Sequence, residues 1–108
     1  MSDKSKEDIM KFQQIQQQLQ MIMFQKQNVQ AQLAEIDNAI IEISKIKEND
    51  AFEVIGNIMV KKSKKEIEDS LKEKQELLKL RISTIDKQQE KLSKSASELQ
   101  ELLSKQLE

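Results

Sequence analysis

Apolar residues recur along the first half of the chain at alternating steps of three and four, which is the spacing of a coiled-coil helix. Between Phe12 and Ile43 a charged residue, Lys26, interrupts this first seam once, and the rest of the helix surface is rich in glutamine. The pattern predicts a helix over about residues 5–48 whose single apolar stripe needs a partner helix. The positions of the first seam are Phe12, Ile15, Leu19, Ile22, Lys26, Val29, Leu33, Ile36, Ile40 and Ile43.

The same spacing returns near the end of the chain and predicts a second helix over about residues 64–106. Its start contains a capping box, "SKKE", in which the Ser63 hydroxyl can accept a hydrogen bond from the backbone N–H of Glu66. Most positions of this second seam are apolar, so it can cover the first. The positions of the second seam are Leu71, Gln75, Leu78, Ile82, Ile85, Gln89, Leu92, Ala96, Leu99 and Leu103.

The two seams fit each other in one antiparallel register. If Ile15 meets Ala96, every other layer of the coiled coil also joins one seam position to another. The alternative is a long homodimer with two separate parallel seams, and the segment between the helices argues against it. The remaining layers pair Phe12 with Leu99, Leu19 with Leu92, Ile22 with Gln89, Lys26 with Ile85, Val29 with Ile82, Leu33 with Leu78, Ile36 with Gln75 and Ile40 with Leu71.

A β-hairpin is predicted between the helices, over about residues 51–62, where "FEVIGNIMV" replaces helix-forming residues by β-branched and aromatic ones. Gly56 and Asn57 form a two-residue turn of type I′ or II′. Both faces of the ribbon are then apolar. One face shows Phe52, Val54 and Met59, and the other shows Ile55, Ile58 and Val60.

An isolated two-stranded ribbon with two apolar faces and two open edges is marginal in water. The coiled coil ends at the base of the hairpin and can cover little of it. We therefore expect the hairpin to pair with the hairpins of other subunits in a closed or nearly closed barrel. The alternative is a hairpin packed on its own coiled coil. The predicted fold is thus α-dominated, a single domain over residues 1–108 with one central hairpin.

Composition narrows the possible functions. The chain has 108 residues, 37% of them hydrophobic and 34% charged, with no histidine or cysteine and one glycine. The commonest catalytic and metal-binding side chains are missing, so we expect no enzyme activity, metal or cofactor. The net charge of −1 gives no attraction to nucleic acid, and the basic run "KKSKK" has no aromatic companions. Apolar runs are too short to cross a membrane, and the absence of cysteine suits the cytoplasm.

The order of these features resembles the β-class subunit of prefoldin, a chaperone of archaeal and eukaryotic cytosol. The resemblance lies in the glutamine-rich first helix, the turn in "IGNIMVKKSKKEI" and the second helix in "LKLRISTIDKQQEKL". One hairpin matches the β class, since the α class has two. The resemblance implies a hexamer of two α-class and four β-class subunits, with a double β-barrel bearing six coiled coils. It also implies that unfolded polypeptides are held without ATP between the distal tips and passed to a group II chaperonin.

Client binding is predicted at the tip, where both chain termini are expected. A second candidate set of surplus apolar residues lies further along the first helix, where methionine suits a surface that accepts many partners. Packing against a neighbouring coil, or scattered exposure, is the alternative for both sets. A structural tether that oligomerises through its hairpin is the alternative function. The tip set is Met10, Phe12, Ile15, Leu99, Leu102, Leu103 and Leu107, and the second set is Met21, Met23 and Phe24.

Overall fold

A computed structural model describes residues 2–106, which form two helices joined by an antiparallel hairpin. The fold class predicted from the sequence is confirmed. The chain falls into two compact units: a terminal unit, Met1–Asn28 with Ile82–Glu108, and a hairpin unit, Val29–Arg81. The elements are α1 (Asp3–Ser44), β1 (Asp50–Ile55), β2 (Ile58–Ser63) and α2 (Lys64–Gln106).

The two predicted seams are the covered faces of the helices. Every seam position is buried or half-buried, whereas the glutamines between Gln13 and Gln20 are exposed. Val29 is the most completely covered, with 2% of its surface accessible. Burial of one apolar stripe on each helix is the main source of stability for such a pair, since exposed helical surface contributes little.

The register of the helices is confirmed within each unit separately. In the terminal unit, Lys26 Nζ lies 2.6 Å from Asp86 Oδ1, beside the predicted layer partner of Lys26. In the hairpin unit, Gln75 Nε2 donates to Asp37 Oδ1 at 2.7 Å, beside the predicted layer partner of Gln75. The helices therefore run in opposite directions in the register that the seams require.

The one charged seam position of α1 is compensated by this ion pair. Lys26 is partly covered, with 29% of its side chain accessible, and Asp86 is more open at 48%. A cation left unpaired in a seam would lose hydration without a compensating partner. Asp86 supplies that partner while remaining in contact with water, so Lys26 is tolerated and the pair favours this register over a shifted one.

A designed disulfide tests the register. Ile15→Cys with Ala96→Cys should form a cross-link within one chain under mild oxidation, because both side chains are half-buried in the same layer. The natural chain has no cysteine, so no other thiol competes. Non-reducing electrophoresis and mass spectrometry would detect it. Gln16→Cys with Ala96→Cys is the control and should stay reduced, because Gln16 is exposed. Cross-links formed only between chains would contradict the intrachain pairing.

Helix α1 ends at Ser44, earlier than the predicted end near residue 48. The N–H groups of Lys45 and Ile46 donate to carbonyls three residues back, each at 3.2 Å, which tightens the last turn. The carbonyl of Ile46 accepts from Lys64 Nζ at 2.7 Å. The backbone N–H of Lys64 donates to the carbonyl of Asn49, also at 2.7 Å. These contacts to the start of α2 need a non-helical connection, so the helix stops before them.

The start of α2 agrees with the predicted capping box. The backbone N–H of Glu66 donates to Ser63 Oγ at 3.1 Å, which satisfies one of the N–H groups that a helix leaves unpaired at its start. Ser63 is also the last residue of β2, where it pairs with Asp50. Ser63 therefore ends β2 and caps α2, so no linker separates the two elements.

The hairpin has the predicted turn and pairing. Ile55 faces Ile58 across the turn, and Val54 faces Met59. Gly56 has a φ of 59°, and Asn57 has a negative φ, which identifies the turn as type II′. An added Cβ on Gly56 would meet no atom within 4 Å, so glycine is needed here for its backbone conformation and not for space.

Candidate interaction surfaces

The hairpin exposes apolar side chains on both faces. Val54 on one face and Ile58 on the other have 68% and 64% of their surfaces accessible. Val60 lies on the same face as Ile58 but farther from the turn, and it is half-buried. On this face the side chains therefore become less exposed with distance from the turn. The apolar residues of the hairpin that are exposed are Phe52, Val54, Ile55, Ile58 and Met59. A ribbon of this kind offers far more apolar area to a partner than a small monomeric element normally leaves in water.

The base of the hairpin is polar. Glu53 Oε2 lies 2.7 Å from Lys62 Nζ on the face that bears Ile55 and Ile58. Lys61 Nζ lies 3.5 Å from Asp50 Oδ2 on the opposite face. Ala51, on the same face as Glu53, is buried. The exposed apolar residues thus extend from the turn only as far as Phe52, and an ion pair lies beyond them on each face.

The ion pair at Glu53 responds to acid. The hydrogen bond from Lys62 lowers the pKa of the Glu53 carboxyl below its ordinary value, and the same bond raises the pKa of Lys62. A carboxyl whose pKa is lowered on folding stabilises the fold above its ordinary pKa, and loses that contribution as the pH falls through the lowered value. The ion pair is therefore present at neutral pH, and acid weakens it by protonating Glu53.

The strand edges are a second binding feature of the hairpin. Within the described residues, β1 and β2 form a sheet of two strands that pair only with each other. Each strand therefore has one outer edge whose backbone N–H and C=O groups are available to a further strand. Open edges combined with exposed apolar faces are what edge-to-edge pairing between hairpins requires.

The predicted tip residues fall into two groups in the terminal unit. Met10 and Leu102 are exposed, with 68% and 40% of their surfaces accessible. The others are seam residues and are half-buried, so much of their area is used within the coiled coil. Leu107 lies outside the described residues. The half-buried members are Phe12, Ile15, Leu99 and Leu103.

The second predicted set is exposed on α1. Met21, Met23 and Phe24 have 62%, 51% and 68% of their surfaces accessible. Met10 and Phe24 occupy the same heptad position, the one farthest from the seam, and Met21 lies next to that position. Met10, Met21 and Phe24 therefore lie along one outer line of α1, about 21 Å long at 1.5 Å per residue, with Gln14 and Gln17 between Met10 and Met21. This line is called the client stripe because client binding is predicted for its residues. Met23 lies to one side of it.

A polar cluster that the sequence did not indicate joins the helices near the termini. Ser5 and Asp8 are both buried. Ser5 Oγ donates to Gln106 Oε1 at 2.8 Å, and Gln106 Nε2 donates to Asp8 Oδ2 at 3.3 Å. Ser2 Oγ accepts from the backbone N–H of Ser5 at 3.2 Å and caps α1. The coiled coil is thus closed at this end by hydrogen bonds as well as by apolar packing.

The hairpin unit also has an apolar groove that was not predicted from the sequence. Leu77 and Leu80 are exposed, although neither belongs to the second seam. They border an open groove of about 470 Å³ between α1 and α2. The signal in the sequence is the run "ELLKL", which places two more leucines beside the seam residue Leu78. The groove is lined by Gln32, Glu35, Ile36, Lys74, Leu77, Leu78, Leu80 and Arg81.

A metal site or a membrane-spanning stretch would be recognisable within residues 2–106. No group of acidic side chains in that range is placed to hold a metal ion. Neither helix, over its described residues, has a stretch long and apolar enough to cross a membrane.

Comparison with known proteins agrees with this arrangement. Residues 6–108 match the family model described as "Prefoldin subunit". The chain is 36% identical to the prefoldin subunit beta of Archaeoglobus fulgidus over 88% of this chain and 83% of that protein. It is 37% identical to the prefoldin subunit beta of Pyrobaculum calidifontis over 90% and 78% of the two chains. The crystal structure of the prefoldin beta subunit from Thermococcus strain KS-1 superposes with a TM-score of 0.92 and 30% identity, covering 98% and 94%.

Proposed function

The chain belongs to the prefoldin family and is a chaperone subunit of its β class, and we propose that it holds unfolded polypeptides without nucleotide on exposed apolar residues of its terminal unit. The observation on which the proposal depends is the client stripe, Met10, Met21 and Phe24, on the otherwise glutamine-covered outer face of α1. Side chains that the coiled coil does not use are available to a client.

The chemistry of the client stripe suits a partner without fixed shape. Methionine is flexible and polarizable, so it can fit different apolar groups. The glutamines around the stripe are uncharged and set no condition on the charge of a client. At about 3.3 Å per residue, an extended client segment of roughly seven residues spans the stripe. Leu102 adds apolar area on α2 in the same unit, so the end near Met10 has contacts from both helices.

Assembly is the second part of the proposal. Membership of the family implies assembly with other prefoldin subunits. We propose that the hairpin makes this contact, through Phe52, Val54, Ile55, Ile58, Met59 and Val60 around the turn at Gly56 and Asn57, in a hexamer of two α-class and four β-class subunits. The exposed faces and open strand edges of the hairpin support this arrangement.

The proposed setting is the cytoplasm, with transfer of the client to a group II chaperonin. Membership of the family supports both parts of this proposal. The proposed release depends on handover and not on a nucleotide cycle, since the sequence has no glycine-rich loop that could bind phosphates. The alternative function, a structural tether, is not favoured by the relatives of the chain and leaves the exposed client stripe without a role.

The experiment is an aggregation assay without nucleotide. A chemically denatured protein is diluted into buffer that contains the chain alone, or the chain assembled with an α-class subunit, and light scattering is followed. We expect the assembled oligomer to suppress aggregation at a near-stoichiometric ratio, and added ATP to change nothing. Aggregation at the rate of the buffer control, with an oligomer of the expected mass present, would contradict the proposal.

A further inference from the structure

The two strands of the hairpin have charges of opposite sign. The charged residues of β1 are Asp50 and Glu53, and those of β2 are Lys61 and Lys62. These lysines begin the basic run "KKSKK", and no charged residue lies between Glu53 and Lys61. In its charged residues β1 is therefore wholly acidic and β2 wholly basic, and the stretch around the turn is uncharged.

The pairing register gives both faces of the ribbon the same arrangement of charge. Asp50 and Lys61 lie on one face and are 3.5 Å apart, and Glu53 and Lys62 lie on the other and are 2.7 Å apart. Each pair is diagonal, with its acid on β1 and its base on β2. A carboxylate can accept from more than one ammonium group. Each charge can therefore also meet a partner across the outer edge of its own strand.

The apolar residues near the turn do not distinguish one edge of the hairpin from the other. Ile55 faces Ile58, and Val54 faces Met59, so the two strands present similar apolar side chains at the same height. Attraction between apolar surfaces is also non-directional. The charges beyond these residues are therefore the feature by which the edge of β1 differs from the edge of β2.

Two level hairpins can join edge to edge in four ways, and the charges distinguish them. The edges that meet belong to like or unlike strands, and the turns lie at the same end or at opposite ends. With the turns at opposite ends, Asp50 or Lys62 lies beside an apolar residue of the neighbour and gains no counter-charge. With the turns together, like strands place like charges side by side, which is destabilising. Only unlike strands with their turns together compensate all the charges, by repeating the diagonal spacing found within the hairpin.

We propose that Asp50 and Glu53 on β1, and Lys61 and Lys62 on β2, select which edges of neighbouring hairpins join. The partner at the β1 edge is then the basic strand of another prefoldin-type hairpin, with its turn at the same end. The inference rests on the proposed assembly through the hairpin and names the residues that direct it. Because such a contact uses a different edge on each side, it can close into a ring. Acid and base then alternate around the ring on both faces.

A charge-reversed chain tests this selection. Asp50→Lys, Glu53→Lys, Lys61→Glu and Lys62→Glu together keep both ion pairs within the hairpin but invert the charge of each edge. Equal amounts of reversed and natural chain compete for a limiting quantity of an α-class subunit at low salt, and mass spectrometry measures each chain in the isolated oligomer. We expect at least about tenfold more natural chain, because the reversed edges would set like charges beside those of their neighbours. At roughly 1 M salt, where the Debye length is about 3 Å, the two amounts should become nearly equal.

The matched control reverses an ion pair outside the hairpin. Glu76→Lys with Lys79→Glu exchanges two exposed charges on α2, which lie 3.9 Å apart in the natural chain. The strands keep their charges, so this control should enter the oligomer as readily as the natural chain at every salt concentration. It accounts for any effect that reversing a surface ion pair has in itself.

Two half-reversed chains examine the faces separately. Glu53→Lys with Lys62→Glu changes one face, and Asp50→Lys with Lys61→Glu changes the other. The first should be excluded more strongly, because its side chains are 28% and 35% accessible, whereas those of the second pair are 54% and 66% accessible and better screened by water. If the fully reversed chain lost its helical circular dichroism, the half-reversed chains would supply the measurement.

The outcomes separate this inference from the proposed assembly. The native mass of the natural chain with the α-class subunit is measured first, and failure to form any oligomer would contradict the assembly and, with it, this inference. An oligomer of normal mass that takes up natural and reversed chains equally at low salt would overturn the selection by charge and leave the hairpin assembly standing. Exclusion of the reversed chain that is unchanged at high salt would also overturn it, since charge would then not be the cause.

Discussion

A single lysine in the hairpin should abolish the oligomer while leaving the helices intact. Val54→Lys and Ile58→Lys each place a charge on one apolar face of the ribbon, where 68% and 64% of the native side chains are accessible in the single chain. In a barrel of hairpins that charge would be buried without a partner, at a cost of roughly 3–5 kcal/mol per copy. Light scattering should therefore report the mass of a single subunit, with unchanged helical circular dichroism.

The matched control for these variants is Asn57→Lys. It adds the same charge to the same hairpin, but in the exposed turn rather than on a face, so it should assemble normally. Val54 and Ile58 lie on opposite faces, so the two variants examine the two faces separately. An unchanged native mass for both would exclude the hairpin as the assembly element, and loss in only one would identify the face that is buried.

Replacing the exposed tip residues by glutamine should largely remove client holding from a normally assembled oligomer. Met10→Gln with Leu102→Gln removes apolar contacts worth about 1 kcal/mol each, at about 25 cal/mol per Å². In the proposed assembly several copies hold one client, so avidity should multiply the loss. Glutamine already covers the neighbouring surface of α1, so helix formation should not suffer. The measurement is the aggregation assay at fixed oligomer concentration.

Two further variants define the surface. Met21→Gln with Phe24→Gln should give a smaller loss, since these residues lie on α1 alone, whereas the tip pair draws on both helices. Ile41→Gln is the control: it removes an exposed apolar side chain of the hairpin unit, with 52% accessible, outside the client stripe. If the tip variant protected the client fully, client binding would have to be assigned to other surfaces of the coiled coil.

Substitution is a better test of the tip than removal of the termini. Ser5, Asp8 and Gln106 are hydrogen-bonded across the helices, and a truncation would remove these contacts together with the apolar residues. The coiled coil would then open at that end, and a loss of client holding could not be assigned to one cause. The glutamine variants leave the hydrogen bonds in place.

The sequence predicts best those features that depend on local period and turn chemistry. The seams follow from a spacing of apolar residues that repeats over many helical turns. Because each helix has one apolar stripe to bury, the two stripes must face each other. Ser63 and Gly56 each have a local role, as a cap and as the residue with positive φ, that few other residues can fill. The residues between Ser44 and Asp50 include no proline or glycine, so the end of α1 is set by contacts to Lys64 and could not be located from neighbours alone.

The surfaces are less predictable, because burial of a polar residue depends on distant partners. Ser5 and Asp8 look like ordinary residues near the start of a helix, and only Gln106, at the other end of the sequence, explains why they are covered. Leu77 and Leu80 are visible as apolar residues outside the seam, but the groove beside them exists only once α1 is placed. The helical period shows which apolar residues lie outside the seam, but it does not show what they contact.

In the proposed oligomer, the closure of both seams within one chain would determine how subunits exchange. Residues 45–63 tether α1 to α2, so the two seams meet at an effective concentration of about millimolar, whereas hairpins from different chains meet only at the concentration of the subunit. Each coiled coil therefore forms before the hairpins associate and survives their separation. In the proposed assembly through the hairpin, a subunit would therefore enter or leave the complex as a folded unit, and hairpin contacts rather than unfolding would set its lifetime there.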